Sequence, residues 1–209
     1  MQASLARVNV SELAPGLYRW TARHPAAVPD AEPGSVDDWP PDVGCVAYLA
    51  QDALVVVDPM IPRDEPPFWE WLDALASRRD RVAVVTTIQF HRRSRDRLVD
   101  RYSASTSRAK DRLPSGVEPL PIKGAGETML WITEHRALVA GDRLLNYGDA
   151  GLRVCPASWM RYLPAPLSEA ELRKRLRFLL ELPVSSILVS HGEPVLHDAR
   201  RALARALAA

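Results

Sequence analysis

Histidine and acidic side chains stand at or shortly after the ends of four apolar segments of this 209-residue sequence. They are Asp58, His91, Asp142 and His191. Imidazole and carboxylate groups bind divalent metal ions, and an imidazole beside a carboxylate exchanges protons near neutral pH. Two histidines and one carboxylate in one place suit a single metal ion with open coordination positions, as in zinc hydrolases and non-haem iron enzymes. The elements before these residues decide whether they meet.

Apolar and β-branched runs predict strands, and loops at strand ends are where rigid scaffolds present functional groups. Strands are predicted over residues 17–23, 44–49, 53–57, 82–87, 103–106, 127–133, 137–140 and 186–190. Helical spacing predicts helices over residues 67–78, 94–102, 168–182 and 197–207. Loops are predicted over residues 25–41 and 110–116. With no repeat and no composition break, we expect one α+β domain over residues 1–209.

Four of these segments together resemble the metallo-β-lactamase fold family. VVVDP at 55–59 is similar to the strand ending in aspartate that opens this fold, and VVT at 84–86 to the strand that leads into its HxHxDH motif. AGD at 140–142 resembles the Gly-Asp turn of the bridging ligand, and SHGEP at 190–194 the terminal His-Gly-Glu-Pro. The order and spacing of these motifs agree with those of the family over residues 15–207. The resemblance implies a four-layer αβ/βα sandwich and a metal-dependent hydrolase.

The HxHxDH motif itself is degenerate in this chain. Laid on the sequence, its two leading histidines fall on Thr87 and Gln89, its aspartate on His91 and its third histidine on Arg92. The histidine that the family carries before the next strand would fall near residues 124–126, where there is none. Because the family's first zinc site needs three histidines, the resemblance implies that the dinuclear zinc centre is lost.

The family's second metal site maps onto His91, Arg92, Asp142 and His191. Without Arg92, the remaining three residues predict a mononuclear site for one Zn, Mn or Fe ion. The permanent positive charge of Arg92 repels a cation, so a metal-free Arg92–Asp142 ion pair is the competing interpretation. Asp58, Thr87 and Gln89 are the other predicted cleft positions, with Asp58 orienting neighbouring loops.

Two functions follow from these alternatives. In the first, a hydrolase-like enzyme uses His91, Asp142 and Arg92 on an ester, amide or thioester, with Arg92 stabilising the oxyanion. In the second, a catalytically inactive protein keeps the cleft to bind an anionic ligand or a protein partner. Metal-free acid–base catalysis by His91 and Asp142 is a weaker third hypothesis. His191 as a strand cap and Asp142 as an Asx-turn residue remain the purely structural interpretations.

The remaining features limit the partners. A net charge of +1 argues against nucleic acid and against an anionic membrane surface. The arginines between positions 92 and 101 alternate with acidic residues, which favours a solvated face. Trp39 and Trp159 either line a pocket or pack in the core, and Cys45 lies in an apolar run. No signal peptide or membrane span is evident, so we expect a cytoplasmic protein that binds a small or anionic ligand.

Overall fold

The larger of two main β-sheets contains the first half of the chain. The structure is a computed structural model that describes residues 9–108 and 113–208. Six strands lie in sequence order across this sheet: β1 (Val10–Ala14), β2 (Leu17–Arg23), β3 (Asp42–Leu49), β4 (Leu54–Val57), β5 (Val82–Thr86) and β6 (Ser105–Arg108). Strands β1 to β4 pair antiparallel, whereas β4, β5 and β6 are parallel. The β-branched runs of β4 and β5 suit this position because their strands are buried on both faces.

The second main sheet contains the other half, in the order β12-β9-β8-β7. Its strands are β7 (Val117–Ile122), β8 (Glu127–Ile132), β9 (Ala137–Ala140) and β12 (Ser186–Val189). Strands β9 and β12 are parallel, so their carboxyl ends lie at the same edge. Two short strands, β10 (Leu144–Leu145) and β11 (Arg153–Val154), form a separate antiparallel pair.

Helices cover the outer face of each sheet. The helices are α1 (Glu65–Ala76), α2 (Arg95–Tyr102), α3 (Glu169–Leu176) and α4 (Ala199–Ala208). Phe68 and Leu98 of α1 and α2 pack in one core with Trp20 of β2, and Leu172 and Leu203 of α3 and α4 pack in another with β8 and β9. A third apolar cluster, with Val55, Val85, Leu130 and Val139, lies between the sheets. The layers are therefore helices, sheet, sheet and helices, which confirms the predicted four-layer αβ/βα sandwich.

Most predicted elements are present, with differences in one helix and in four additional strands. The helix predicted over 168–182 begins with a Ser168–Glu171 capping box but changes at Arg177 to a 3₁₀ turn, before Pro183. Strands β1, β7, β10 and β11 were not predicted. Strand β7 contains Pro119 and Pro121, which are tolerated because β7 is the edge strand of its sheet. Of the loop predicted over 110–116, residues 110–112 lie outside the described residues.

The carboxyl ends of β4, β5, β9 and β12 meet at one edge of the sandwich. Gly44 N donates to Ser190 O at 2.7 Å, and a β-bridge joins Val43 to His191, so the two sheets are connected at this edge. Among the helices that the structure describes, none has the length and apolar character needed to cross a bilayer. The longest of them, α1, has 12 residues.

Candidate metal centre

Three side chains of types that can bind a metal ion, from distant parts of the sequence, meet at the edge where the sheets join. Nε2 of His91 lies 2.9 Å from Oδ1 of Asp142, and Nε2 of His191 lies 3.2 Å from the same oxygen. One ligand atom from each residue lies within 4.8 Å of the other two. All three residues are buried. The chain thus gathers two imidazoles and one carboxylate, as the sequence predicts.

Asp58 and Thr87 hold the imidazole of His91 in place. Oδ2 of Asp58 lies 2.8 Å from Nδ1 of His91, and Thr87 donates to the same carboxylate from its N–H at 2.8 Å and its hydroxyl at 2.5 Å. Asp58 adopts a positive φ of 49°, which aspartate tolerates better than most residues, and thereby directs its side chain back toward β5. With Nδ1 bonded to this carboxylate, the Nε2 of His91 faces Asp142.

Glu127, at the start of β8, positions Asp142. Its buried carboxylate accepts three backbone N–H groups, from Gly141 at 3.0 Å, Asp142 at 2.7 Å and Arg143 at 2.9 Å. A side chain at Gly141 has no room, because a Cβ there would lie 2.5 Å from Oγ1 of Thr87. Glu127 is not among the site residues predicted from the sequence. Its signal is a glutamate at the head of an otherwise apolar strand.

The third residue of the cluster, His191, is fixed by the backbone and by two indoles. Asn146 N donates to His191 O at 3.1 Å, next to a β-bridge between Asn146 and Gly192. The rings of Trp39 and Trp159 lie edge-on to the imidazole, at centroid distances of 5.3 and 5.2 Å. Its Nδ1 is buried and has no hydrogen-bond partner among the described residues. Packing against the two indoles, rather than a hydrogen bond to Nδ1, holds this ring.

The charges of the three residues are strongly coupled. Burial and the charge of Arg93 lower the pKa of His91, but the carboxylates of Asp142 and Asp58 outweigh both and raise it to about 9. Burial raises the pKa of Asp142, and the opposing interactions with His91 and His191 hold it well below its usual range. Burial lowers the pKa of His191. Without a metal ion, the cluster therefore contains ionised Asp142, protonated His91 and neutral His191 at pH 7.

The proximity of the donor atoms fits a shared cation. Oδ1 of Asp142 is buried and, despite the short distances to both Nε2 atoms, has no hydrogen bond of acceptable geometry within the described part of the chain. Two ring nitrogens and one carboxylate oxygen, all within 4.8 Å of one another, could together hold one ion. The set of two nitrogens and one oxygen also suits zinc.

Two predicted cleft residues lie elsewhere. The side chain of Arg92 is 62% exposed, and its guanidinium lies 3.8 Å from Asp96, so the Arg92–Asp142 pair that the sequence suggested is wrong. Gln89 is exposed and does not line the cavity. Both belong to the 3₁₀ turn Gln89–Arg92, in which successive side chains point in different directions, and only His91 of this turn is buried.

Arg93, rather than Arg92, is the arginine that lies near the cluster. Its backbone has a positive φ of 38°, which turns the guanidinium inward. The guanidinium donates to Ser190 Oγ at 2.6 Å and to the backbone oxygen of Asp58 at 3.0 Å, and it lines the cavity beside the cluster. The solvated-face interpretation therefore does not apply to Arg93, although Arg97 and Arg101 are exposed and paired with acidic residues.

A cavity of about 550 Å³ opens beside the three residues. Trp39 and Trp159 line it, as one of the two sequence interpretations proposed, and Trp159 is also part of the core. Phe90 and Tyr162 also line it, with their rings edge-to-face at 4.7 Å. This volume is in the range of small-molecule sites.

Solved structures with the same architecture come from metallo-β-lactamases. DIM-1 metallo-β-lactamase has a TM-score of 0.61 and 11% identity over 95% of this chain and 96% of its own. An NDM_FIM-1-like metallo-β-lactamase from Erythrobacter litoralis, in the mono-zinc form, has a TM-score of 0.60 and 16% identity over 96% and 95%. A metallo-β-lactamase family protein from Thermus thermophilus has a TM-score of 0.55 and 16% identity over 94% and 80%.

No protein-family model and no curated protein matches the chain. The structural matches nevertheless cover nearly all of it, at identities of 9 to 16%. The protein therefore has the metallo-β-lactamase fold, in a form whose sequence has diverged far from these structures. This confirms the resemblance that the strand-end motifs indicated.

Proposed function

We propose that the protein is a hydrolase-like enzyme that uses one divalent metal ion, held by His91, Asp142 and His191, to act on an ester, amide or thioester. The observation that carries this proposal is the convergence of the three ligand atoms within 4.8 Å, buried beside a cavity of small-molecule size. The contacts of Oδ1 of Asp142 support it, because this buried oxygen lies 2.9 and 3.2 Å from the two Nε2 atoms, so the three atoms are close enough to share one cation.

The proposed division of work follows from the contacts. A bound metal ion would lower the pKa of a water molecule and polarise the substrate carbonyl. Asp58 holds His91 with Nε2 toward the ion, and Glu127 fixes the turn that carries Asp142. Arg93, rather than Arg92, contributes a permanent positive charge beside the site, where negative charge develops on the carbonyl oxygen.

A single ion rather than two is favoured by the residues around the cluster. Thr87 binds Asp58, and Gln89 is exposed, so neither provides a nitrogen ligand at the positions of the family's first zinc site. In the described residues, His91, Asp142 and His191 form the one group of three or more such ligands. The mono-zinc form of the Erythrobacter litoralis enzyme is a precedent for one ion in this fold.

Metal analysis of the full-length protein, purified without chelator, tests the proposal. We expect about one equivalent of Zn, Mn or Fe, and a loss of most of it in Asp142→Ala and His191→Ala. His197→Ala is the matched control, since His197 is an exposed histidine outside the cavity. Less than about a tenth of an equivalent, with no uptake of added Zn²⁺, Mn²⁺ or Fe²⁺, would overturn the proposal.

A second candidate function is metal-free binding of an anionic ligand or a protein partner. It is favoured by the charge of Arg93 and by the contacts of His91 with two carboxylates, which balance the cluster without a cation. The same His91–Asp142 contact would serve metal-free acid–base catalysis. Chelation distinguishes the two functions: a fall in Tm supports bound metal, whereas an unchanged Tm supports the metal-free binder.

For location we propose the cytoplasm. Cys45 and Cys155 are both free thiols rather than partners in a disulfide, which suits a reducing compartment. Fractionation of cells that express the full-length protein tests this location. Recovery in a membrane or extracellular fraction would contradict it.

A further inference from the structure

Aromatic side chains form most of the wall of the cavity beside the candidate metal centre. Trp39 and Trp159 lie against the ring of His191, and Phe90 and Tyr162 form an edge-to-face pair. Phe90 is 53% exposed and Tyr162 39%, so this pair lies at the mouth of the cavity. Exposed aromatic rings that continue into an aromatic-lined cavity are typical of a binding site for flat apolar groups.

Hydrogen bonds fix the two segments that carry these tryptophans. Ser158 Oγ donates to Gly34 O at 2.6 Å, and Trp159 Nε1 donates to Ser35 O at 2.9 Å. Tyr147 donates from its hydroxyl to Asp38 O at 2.5 Å, next to Trp39. The loop before β3 is thereby attached to the 3₁₀ turn Ala157–Met160. The aromatic wall is therefore built in advance of any ligand.

The charges that face the cavity favour an anion. Its charged lining residues are Arg93, Arg161 and Asp142, together with three histidines. Asp142 is already in contact with two imidazoles, whereas Arg161 is exposed and has no acidic residue within ion-pair distance in the described part of the chain. Arg161 directly follows the 3₁₀ turn that carries Trp159, so a fixed aromatic wall and a guanidinium are adjacent.

From this arrangement we propose that the cavity binds small aromatic anions, with Arg161 contacting the acidic group and the aromatic wall covering the ring. The proposal rests on the proposed function, because it names the substrate class of that site as aromatic acyl compounds that carry a negative charge. The volume of about 550 Å³ accommodates a ligand of one or two rings. The binding step itself requires no metal ion.

Titration of the full-length protein with 1-naphthoate and with the neutral, isosteric 1-naphthamide tests this inference. Dissociation constants are measured by ligand-observed NMR, on the protein as purified and after chelation. We expect 1-naphthoate to bind about fivefold more tightly than 1-naphthamide, both to the protein as purified and to the chelated protein. A difference of this size is typical of a partly exposed ion pair, here between Arg161 and the carboxylate. Arg161→Gln should reduce this difference by at least half, because only Arg93 then remains as a permanent positive charge in the cavity, and should leave the affinity for 1-naphthamide unchanged. Arg92→Gln is the matched control, because Arg92 is an exposed arginine outside the cavity, and this variant should still bind 1-naphthoate about fivefold more tightly than 1-naphthamide.

A second variant tests the aromatic part. Phe90→Ser should weaken both ligands at least threefold while preserving the Tm, because Phe90 is half exposed. Equal affinity for acid and amide, an unchanged preference in Arg161→Gln, or unchanged binding in Phe90→Ser would each overturn the inference. Because binding is also measured after chelation, absence of metal would contradict the proposed function but not this inference.

Discussion

The carboxylate of Asp58 lies 2.8 Å from Nδ1 of His91, and both side chains are buried. Asp58 follows β4 and His91 follows β5, two parallel neighbours, so the contact joins the ends of adjacent strands. The resemblance of the strand-end motifs places His91 at the position of the family's motif aspartate. The carboxylate of Asp58 supports the imidazole of His91 from behind, in the manner of the carboxylate–histidine pairs that orient ligands in metal proteins.

Asp58→Asn should weaken metal binding about 10- to 100-fold, because the amide no longer fixes the tautomer and orientation of His91. Competition with a chelating dye measures the affinity. Asp96→Asn, at an exposed aspartate, is the control and should bind as the unsubstituted protein does. Equal affinity in Asp58→Asn, with a Tm that shows folded protein, would mean that this carboxylate has no part in metal binding.

The metal-free protein should lose stability as the pH rises from about 6.5 to about 9. The pKa of His91 is raised from 6.5 to about 9 in the folded state, so folded protein holds this proton more tightly than unfolded protein. The resulting stabilisation is complete below about 6.5 and is lost as the pH rises through about 9. Tm values of chelator-treated protein between pH 6 and 10 measure it. His91→Gln should flatten the profile, and an identical slope in this variant would refute the assignment.

Glu127→Gln should destabilise the protein by about 1 to 3 kcal/mol. In the native protein, both carboxylate oxygens of Glu127 accept backbone N–H groups. In the variant, the NH₂ of glutamine replaces one of these oxygens, so the NH₂ and the backbone N–H that faces it are both buried without an acceptor. Urea unfolding measures the loss. Glu118→Gln, on the exposed face of β7, should change stability by less than about 0.5 kcal/mol. Comparable stabilities for the two variants would show that Glu127 does not hold the Asp142 turn.

Gly141→Ala should destabilise the protein by about 1 to 3 kcal/mol, since its Cβ would lie 2.5 Å from Oγ1 of Thr87. Thr87→Ala in the same chain removes that oxygen and should recover part of the loss. A double-mutant cycle on urea unfolding gives the coupling between the two positions. Additive effects would mean that the two residues do not compete for this space.

The fold can be predicted well from the sequence because the patterns that mark its strands lie within short segments of the chain. Apolar runs mark β4, β5, β9 and β12, and the polar residue after each run lies at the shared edge. The side chains that approach the site from other directions are harder to predict. The sequence marks Glu127 only as a glutamate at the head of β8, whereas its three backbone N–H partners come from tertiary packing.

Arg92 and Arg93 show that the direction of a side chain is equally hard to predict from the sequence. Both are arginines in a basic segment, and the direction of each side chain depends on the 3₁₀ turn and on the positive φ of Arg93. Mapping the family motif by spacing alone therefore selected the exposed residue. The edge strand β7, with its two prolines, was missed because proline normally argues against a strand.

The most direct test of the account is X-ray absorption spectroscopy of the protein loaded with one equivalent of Zn²⁺. The account predicts two imidazole nitrogens and oxygen ligands at about 2.0 to 2.2 Å, and one imidazole fewer in His191→Ala. Zinc with sulfur ligands, or an unchanged imidazole count in His191→Ala, would contradict the claim that His91, Asp142 and His191 form a metal centre.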